Sequence, residues 1–356
     1  MLVRMYCRDT TQASGKGCLV RVPAAIVTFY SIHGVNVIAR AATSELDAAL
    51  ADLLRPFAVD GADFARRDLP VDLTIRLATG PLPGAAPTGG TIWLEHGPLR
   101  STVVEGARYL ELEGHLVARY LPAARAIEAS VPSEWGLSSW QVGHAIVFPL
   151  LVEALREHGL FSLHAAALSK NGRVVVFPAE SGSGKTTLAL TLLRAGFGLL
   201  SDDAPALRRE GADVLVYGFP EPLNLTRQTS AFFPEVAARW HEHVADERGK
   251  VPLDSAALYG GDAVASGKPG AVVFPTIGED DRTTLAPLAK STALLRLAAL
   301  AMPAATQALV REQFDVLAVL VARTPCYTMR TGRDFAALPG IIERLLGSET
   351  DNTDVV

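Results

Sequence analysis

A chain of 356 residues with 49% hydrophobic and 20% charged residues has ample material for a core and the composition of a soluble globular protein, with two or three domains expected from its length. A net charge of −5 gives no general attraction to nucleic acid or to an anionic membrane, so neither is expected as a partner. Cys7, Cys18 and Cys326 are odd in number and lack Cys-x-x-Cys spacing, which argues against a disulfide framework or a zinc site and for a reducing, cytoplasmic setting.

Arg4, Arg8, Asp9 and Lys16 interrupt the N-terminal stretch, so no secretion signal is expected there. The apolar runs 144–154 and 293–302 are too short or too charged to span a bilayer. Residues 17–40 read as short strands separated by turns. A helix is predicted over 44–58, with Leu46, Ala49, Leu50, Leu53 and Leu54 on one face. Residues 71–77 alternate as a strand, and the Gly- and Pro-rich stretch 79–90 is an exposed loop. With further β-like stretches at 91–95, 101–105, 107–112 and 115–120, residues 1–130 form a β-rich N-terminal module with at least one helix. Ser138 or Ser139 caps a helix running to about His158, in which Pro149 predicts a kink and Gly159 an end.

Residues 161–168 and 173–179 read as a β-hairpin turned on Asn171-Gly172, so the second strand has an antiparallel neighbour, unlike the strands of an ordinary doubly wound nucleotide-binding sheet. A helix from Thr186 buries Leu188, Leu192 and Leu193 and stops near Gly196, and a short strand 197–201 then delivers Asp202-Asp203. Strands at 213–218, 271–275 and 326–329, helices at 291–301, 306–322 and 334–346, and a frayed tail 348–356 complete the chain.

Between hairpin and helix, residues 179–186 (AESGSGKT) match the phosphate-loop pattern G-x-x-x-x-G-K-[ST] except at Ala179. Gly182 and Gly184 let successive N–H groups turn inward as an anion nest, and the helix N-terminus adds its dipole. Ser181, Gly182, Ser183, Gly184, Lys185, Thr186 and Thr187 are therefore the candidate nucleotide-binding residues. Lys185 is placed to reach the β- and γ-phosphates and the Thr186 hydroxyl to ligate Mg²⁺. Asp202 and Asp203 are adjacent, so on a regular strand they point to opposite faces, which suits one carboxylate to metal and the other to an acceptor. Taken alone, the pair also reads as a turn or helix cap. His164 in its apolar strand reads either as a hydrogen-bonded core residue or as a functional group. Glu180 reads as a metal ligand or a solvent-facing residue and Lys250 as a phosphate contact or a solvated lysine, with solvent expected for both; Glu221, as a further metal-binding group, and Asn224 and Arg227 are weaker candidates. The other Ser-Gly-Lys strings, 14–16 and 266–268, lack the strand–loop–helix context and read as surface turns.

His164, the loop 179–186 and Asp202-Asp203, in this order, resemble the catalytic domain of the bacterial HPr serine kinase/phosphorylase family. They are closer still to HPr-kinase-related proteins encoded with peptide-modification genes, including lasso-peptide kinases. The phrase LHAAAL…ESGSGKTTLALTLLRAGFGLLSDD carries most of the resemblance, which is specific over about 150–210 and weaker to about 345. It implies an α/β fold akin to the phosphoenolpyruvate-carboxykinase nucleotide-binding core: a P-loop domain with a mixed sheet over 131–347, preceded by the smaller β-rich α+β module. It also implies transfer of phosphate from ATP to a hydroxyl, with Lys185 and Thr186 on phosphates and Mg²⁺, Asp202 as base, Asp203 as metal-linked carboxylate and His164 near the reacting groups. No counterpart of the segment that binds HPr is found, so HPr is not the expected substrate. The expected function is an ATP- and Mg²⁺-dependent kinase acting on a serine hydroxyl of a peptide or small protein, with the N-terminal module as the expected recognition element for the acceptor and a homo-oligomer compatible. The alternatives are a small-molecule hydroxyl kinase and a nucleotide-gated regulatory partner without turnover.

Overall fold

The computed structural model describes Met5–Tyr6 and residues 25–82, 87–180, 182–240, 245, 249–260 and 264–347. Cys7, Cys18, the turn 14–16, the first part of the 17–40 strand region, Ser181 and the tail 348–356 lie outside the described residues. The chain divides into two compact units, one formed by Met1–His158 with Pro303–Val310 and the other by Gly159–Met302 with Arg311–Val356. The division follows His158 rather than residue 130, because the helix ending at Arg156 packs with the first unit.

The first unit holds strands β1 (Ile26–Ile32) and β2 (Val35–Ala41), helix α1 (Ser44–Leu54), then β3 (Leu73–Thr79), β4 (Thr91–His96), β5 (Leu99–Val104), β6 (Ala107–Leu112), β7 (His115–Leu121) and β8 (Ala126–Val131). Its sheet runs β1-β2-β3-β8-β7-β6-β5-β4, with β3 parallel to both β2 and β8. The five apolar residues predicted for the helix face are all buried. α1 ends at Leu54, short of the predicted 58: Arg55 keeps a helical backbone, but Pro56 has no amide hydrogen to continue the helical ladder, and a 3₁₀ turn, Arg55–Phe57, follows. The kink predicted at Pro149 takes the form of a π-helical stretch, Gln141–Val147, leading into α2 (Phe148–Arg156); the Phe148 amide bonds the Gly143 carbonyl five residues back.

The second unit begins with the predicted hairpin, β9 (Ala165–Lys170) and β10 (Arg173–Pro178), turned by Asn171 and Gly172 with φ of 51° and 76°. Two consecutive positive φ values make the type I′ turn that Asn-Gly favours. Next come α3 (Lys185–Arg194), β11 (Gly198–Ser201), β12 (Ala206–Glu210), β13 (Asp213–Tyr217), β14 (Leu223–Thr226), β15 (Lys250–Leu253) and β16 (Ser266–Ile277). β17 (Thr284–Pro287), α4 (Lys290–Leu300), α5 (Gln307–Arg323, in this unit from Arg311 on), β18 (Cys326–Thr331) and α6 (Leu338–Gly347) complete the described residues. The main sheet is ordered β12-β13-β16-β10-β9-β11, and β18 pairs with β16 and β17. It is mixed: β10 is antiparallel to β9 and parallel to β16, which is parallel to β18. Alternate strand residues feed two cores, as the period of two requires. Ala166, Leu168, Val175 and Phe177 pack with Leu188 and Leu192 of α3 and with Ile342 of α6. Ala165, Ala167, Val174 and Val176 pack with Leu297 of α4 and Leu317 and Leu320 of α5. β14 and β15 form a separate two-stranded ribbon.

Candidate functional site

The parallel strands β10, β16, β18 and the short β11 end at one margin of the sheet, where β9 begins. The chain stitches this margin with backbone hydrogen bonds: the Ala165 amide donates to the Asp203 carbonyl at 3.1 Å and the Ala179 amide to that of His164 at 3.4 Å. The phosphate-loop sequence leaves β10 here. Gly182 and Gly184 have φ of +84° and +90°, left-handed conformations that Gly adopts without a Cβ penalty. Ala179, the departure from the usual leading Gly, has no positive φ, and its methyl is buried. The Ser183 hydroxyl donates to the Glu180 carbonyl at 2.7 Å, while the Glu180 side chain is exposed, as expected. α3 starts at Lys185, so its first-turn amides open toward the loop, the arrangement that binds anions. Thr187 lies in that turn, half-buried.

Lys185 is only 7% exposed, and its ammonium donates to the carbonyls of Ala179 and Glu180 at 2.5 and 3.0 Å and to His164 Nε2 at 3.0 Å. An ammonium has no acceptor capacity, so Nε2 accepts and the imidazole proton sits on Nδ1. That nitrogen faces Asp203 Oδ1 at 3.0 Å. Lys185, His164 and Asp203 thus form a directed chain, with the His164 ring between the other two. Burial depresses the Lys185 pKa, against the pull of Asp203 and Asp202.

The two carboxylates are treated differently. Asp202 is 8% exposed; its Oδ2 accepts the Thr186 hydroxyl at 3.2 Å, and its buried Oδ1 has no hydrogen-bond partner. Burial, then the charge of Asp203, pushes its pKa up to about 6. The Asp203 side chain is 59% exposed. The partial burial it does have disfavours its charge, but the hydrogen bond and charge of His164, with Lys185 and Lys250, hold it below the usual carboxylate range. The carboxylate beside Thr186 is therefore Asp202, whereas the expected metal pair was Thr186 with Asp203.

The structure also brings in groups the sequence ranked low. Glu221, just before β14, is pushed up to about 7 by burial and by the charges of Asp203 and Asp202. Lys250, at the start of β15, is half-buried rather than solvated, and its charge acts on Lys185, Asp202 and Asp203. Thr226 pairs with Lys250 across the ribbon, whose first strand begins two residues after Glu221. Asn224 lies on β14, and Arg227 is exposed in the helical turn after it. Among the described residues, no three His, Cys, Asp or Glu side chains form a ready metal cage. Hydroxyl and carboxylate oxygens in this number suit Mg²⁺, which usually takes one or two carboxylates plus phosphate oxygens and waters.

No family model matches the chain, and no curated protein matches it. Among solved structures it shows a distant likeness to the HPr(Ser) kinase/phosphatase from Coxiella burnetii, with 16% identity, a TM-score of 0.28, and 52% of this chain and 93% of that one covered. Among the described residues, no helix is long and apolar enough to cross a membrane.

Proposed function

We propose that this protein is an ATP-dependent, Mg²⁺-requiring kinase that passes the γ-phosphate to a serine hydroxyl of a peptide or small protein. The observation that carries the reading is the meeting, at one sheet margin, of the phosphate loop, the Thr186–Asp202 hydrogen bond and the Lys185–His164–Asp203 chain. Phosphoryl transfer needs charge neutralisation and in-line positioning more than covalent chemistry, and these groups suit both tasks. The loop amides and Lys185 bind the phosphates, with the Lys185 ammonium exchanging its carbonyl and imidazole partners for phosphate oxygens. Thr186 and Asp202 would hold Mg²⁺, since a loop hydroxyl beside a carboxylate is the usual holder in phosphate-loop enzymes and the unpartnered Asp202 Oδ1 has acceptor capacity to spare. Bound there, the metal supplies charge neutralisation on the phosphates. Asp203, exposed and oriented by His164, accepts the proton as the acceptor oxygen bonds the γ-phosphorus and ADP departs. Its openness supports a hydroxyl presented on a peptide.

A second assignment, with Asp202 as the base, has one observation in its favour: a pKa of about 6 lies nearer the working pH of a general base. Transfer kinetics of Asp202→Asn and Asp203→Asn over a Mg²⁺ series separate the two. Under the first assignment Asp203→Asn lowers kcat by roughly 10²–10⁴-fold at an unchanged Mg²⁺ requirement, and Asp202→Asn raises that requirement. The opposite pattern restores Asp202 as base. Full turnover by both variants removes this pair from catalysis. Comparing peptide, sugar and free amino-acid acceptors tests the substrate class, with phosphorylation of the small molecules alone contradicting the peptide reading.

A further inference from the structure

The order of the strands dictates which way a nucleotide must run. Asp202 and Asp203 follow β11, His164 precedes β9, and the phosphate loop follows β10, so the reacting end lies on the β9–β11 side of the loop. The remaining direction along the margin leads over β16, one strand spacing of about 4.8 Å away, and then over β18. Ligands of open α/β sheets occupy the crevice beyond the carboxyl ends of parallel strands, and β10, β16 and β18 are parallel here.

At the end of β16 stands Ile277, a large apolar side chain 67% exposed. Its Cγ1 lies 3.6 Å from the point a Cβ on Gly184 would occupy, so it borders the phosphate loop itself. The backbone that carries it is pinned: the Gly278 amide donates to the Thr331 carbonyl at 2.9 Å, and a Cβ on Gly278 would come within 2.8 Å of that oxygen. An ion pair between Arg330 and Asp280, at 3.6 Å, lies on the chain just beyond. A fixed, exposed aliphatic surface beside an anion nest suits the flat apolar face of a base.

We propose that Ile277 is the floor of the nucleoside subsite, covered by the base or ribose when the phosphates occupy the loop. The proposal rests on the nucleotide-binding reading above, and the test separates the two. Calorimetric affinities for Mg-ATP and for tripolyphosphate, which shares the phosphates but has no nucleoside, are compared in the wild type, Ile277→Ala, Ile277→Met and Lys185→Ala. Losing the apolar contact is expected to weaken ATP binding about fivefold or more in Ile277→Ala, with tripolyphosphate unchanged and Ile277→Met close to wild type. Lys185→Ala weakens both ligands. An Ile277→Ala variant that binds ATP like the wild type, or that loses both ligands equally, overturns the subsite while leaving the loop in place. Binding of neither ligand by the wild type, or binding of both by Lys185→Ala at wild-type affinity, overturns the nucleotide reading and the subsite with it.

Discussion

Replacing Glu221 with Gln tests whether the carboxylates of the site are as crowded as the structure indicates. Glu221 has its pKa pushed from 4.5 to about 7, chiefly by burial and then by Asp203 and Asp202. The folded state therefore binds the proton more tightly than the unfolded chain, and between these values it holds more protons. Stability from this residue is full below about pH 4.5 and is lost as the pH rises through about 7. At about 1.4 kcal/mol per tenfold change in proton affinity, and allowing for its partial exposure, the loss is about 2–3 kcal/mol. Glu221→Gln keeps the shape without the titration, so it should match the wild type near pH 5 and exceed it at pH 8. For a unit of this size the gain corresponds to about 5–10 °C in Tm. Urea and thermal unfolding from pH 5 to pH 8, without nucleotide, measure it. Asp202, with a value near 6, leaves a residual slope at the acid end. A variant whose stability falls between pH 6 and pH 8 as steeply as the wild type would refute the reasoning.

Three other outcomes follow from geometry. Lys250→Ala removes a cation that lowers both Asp202 and Asp203, so the acid limb of the kcat/KM pH profile should move to higher pH; a shift to lower pH would place Lys250 elsewhere. Gly218→Ala would set a Cβ 2.6 Å from the Val264 carbonyl oxygen and 2.9 Å from that of Leu200, both backbone atoms. The expected destabilisation is about 1–3 kcal/mol, read by urea unfolding. In the first unit, buried Glu153 bonds Arg156 and pairs with buried Arg108 at 3.3 Å. Glu153→Ala removes a carboxylate shared by two buried cations, of which Arg108 keeps Glu157 at 3.2 Å, and should cost about 3–5 kcal/mol, more than Glu128→Ala, whose arginine partners are more exposed.

The local parts of the site were legible because they are written in consecutive residues. Asn171-Gly172 dictates the hairpin turn, two glycines and a lysine the loop, and the single helix after it brings Asp202-Asp203 back to the same margin. What the sequence left open is set by contacts between distant segments. What His164 bonds to was open because its partners, Lys185 and Asp203, come from segments beyond its own strand. Which aspartate met Thr186 depended on how the chain leaves β11, where the residues no longer alternate as on a strand. Glu221 precedes the ribbon and Lys250 arrives on its second strand, far from the loop in sequence, and no spacing rule links either residue to the loop. The boundary after His158 was obscured because the π-helical stretch and α2 carry an apolar pattern that fits either neighbour, and packing against α1, β7 and β8 for the stretch and against β7 for α2 assigns them.

The most direct test of the central claim is intact-mass analysis of serine-containing peptides incubated with ATP, Mg²⁺ and the protein. The account predicts the gain of one phosphoryl group on a serine, with a matching amount of ADP, and loss of both with Lys185→Ala. ATP bound but no phosphorylated acceptor of any class, or transfer that survives Lys185→Ala, would contradict it.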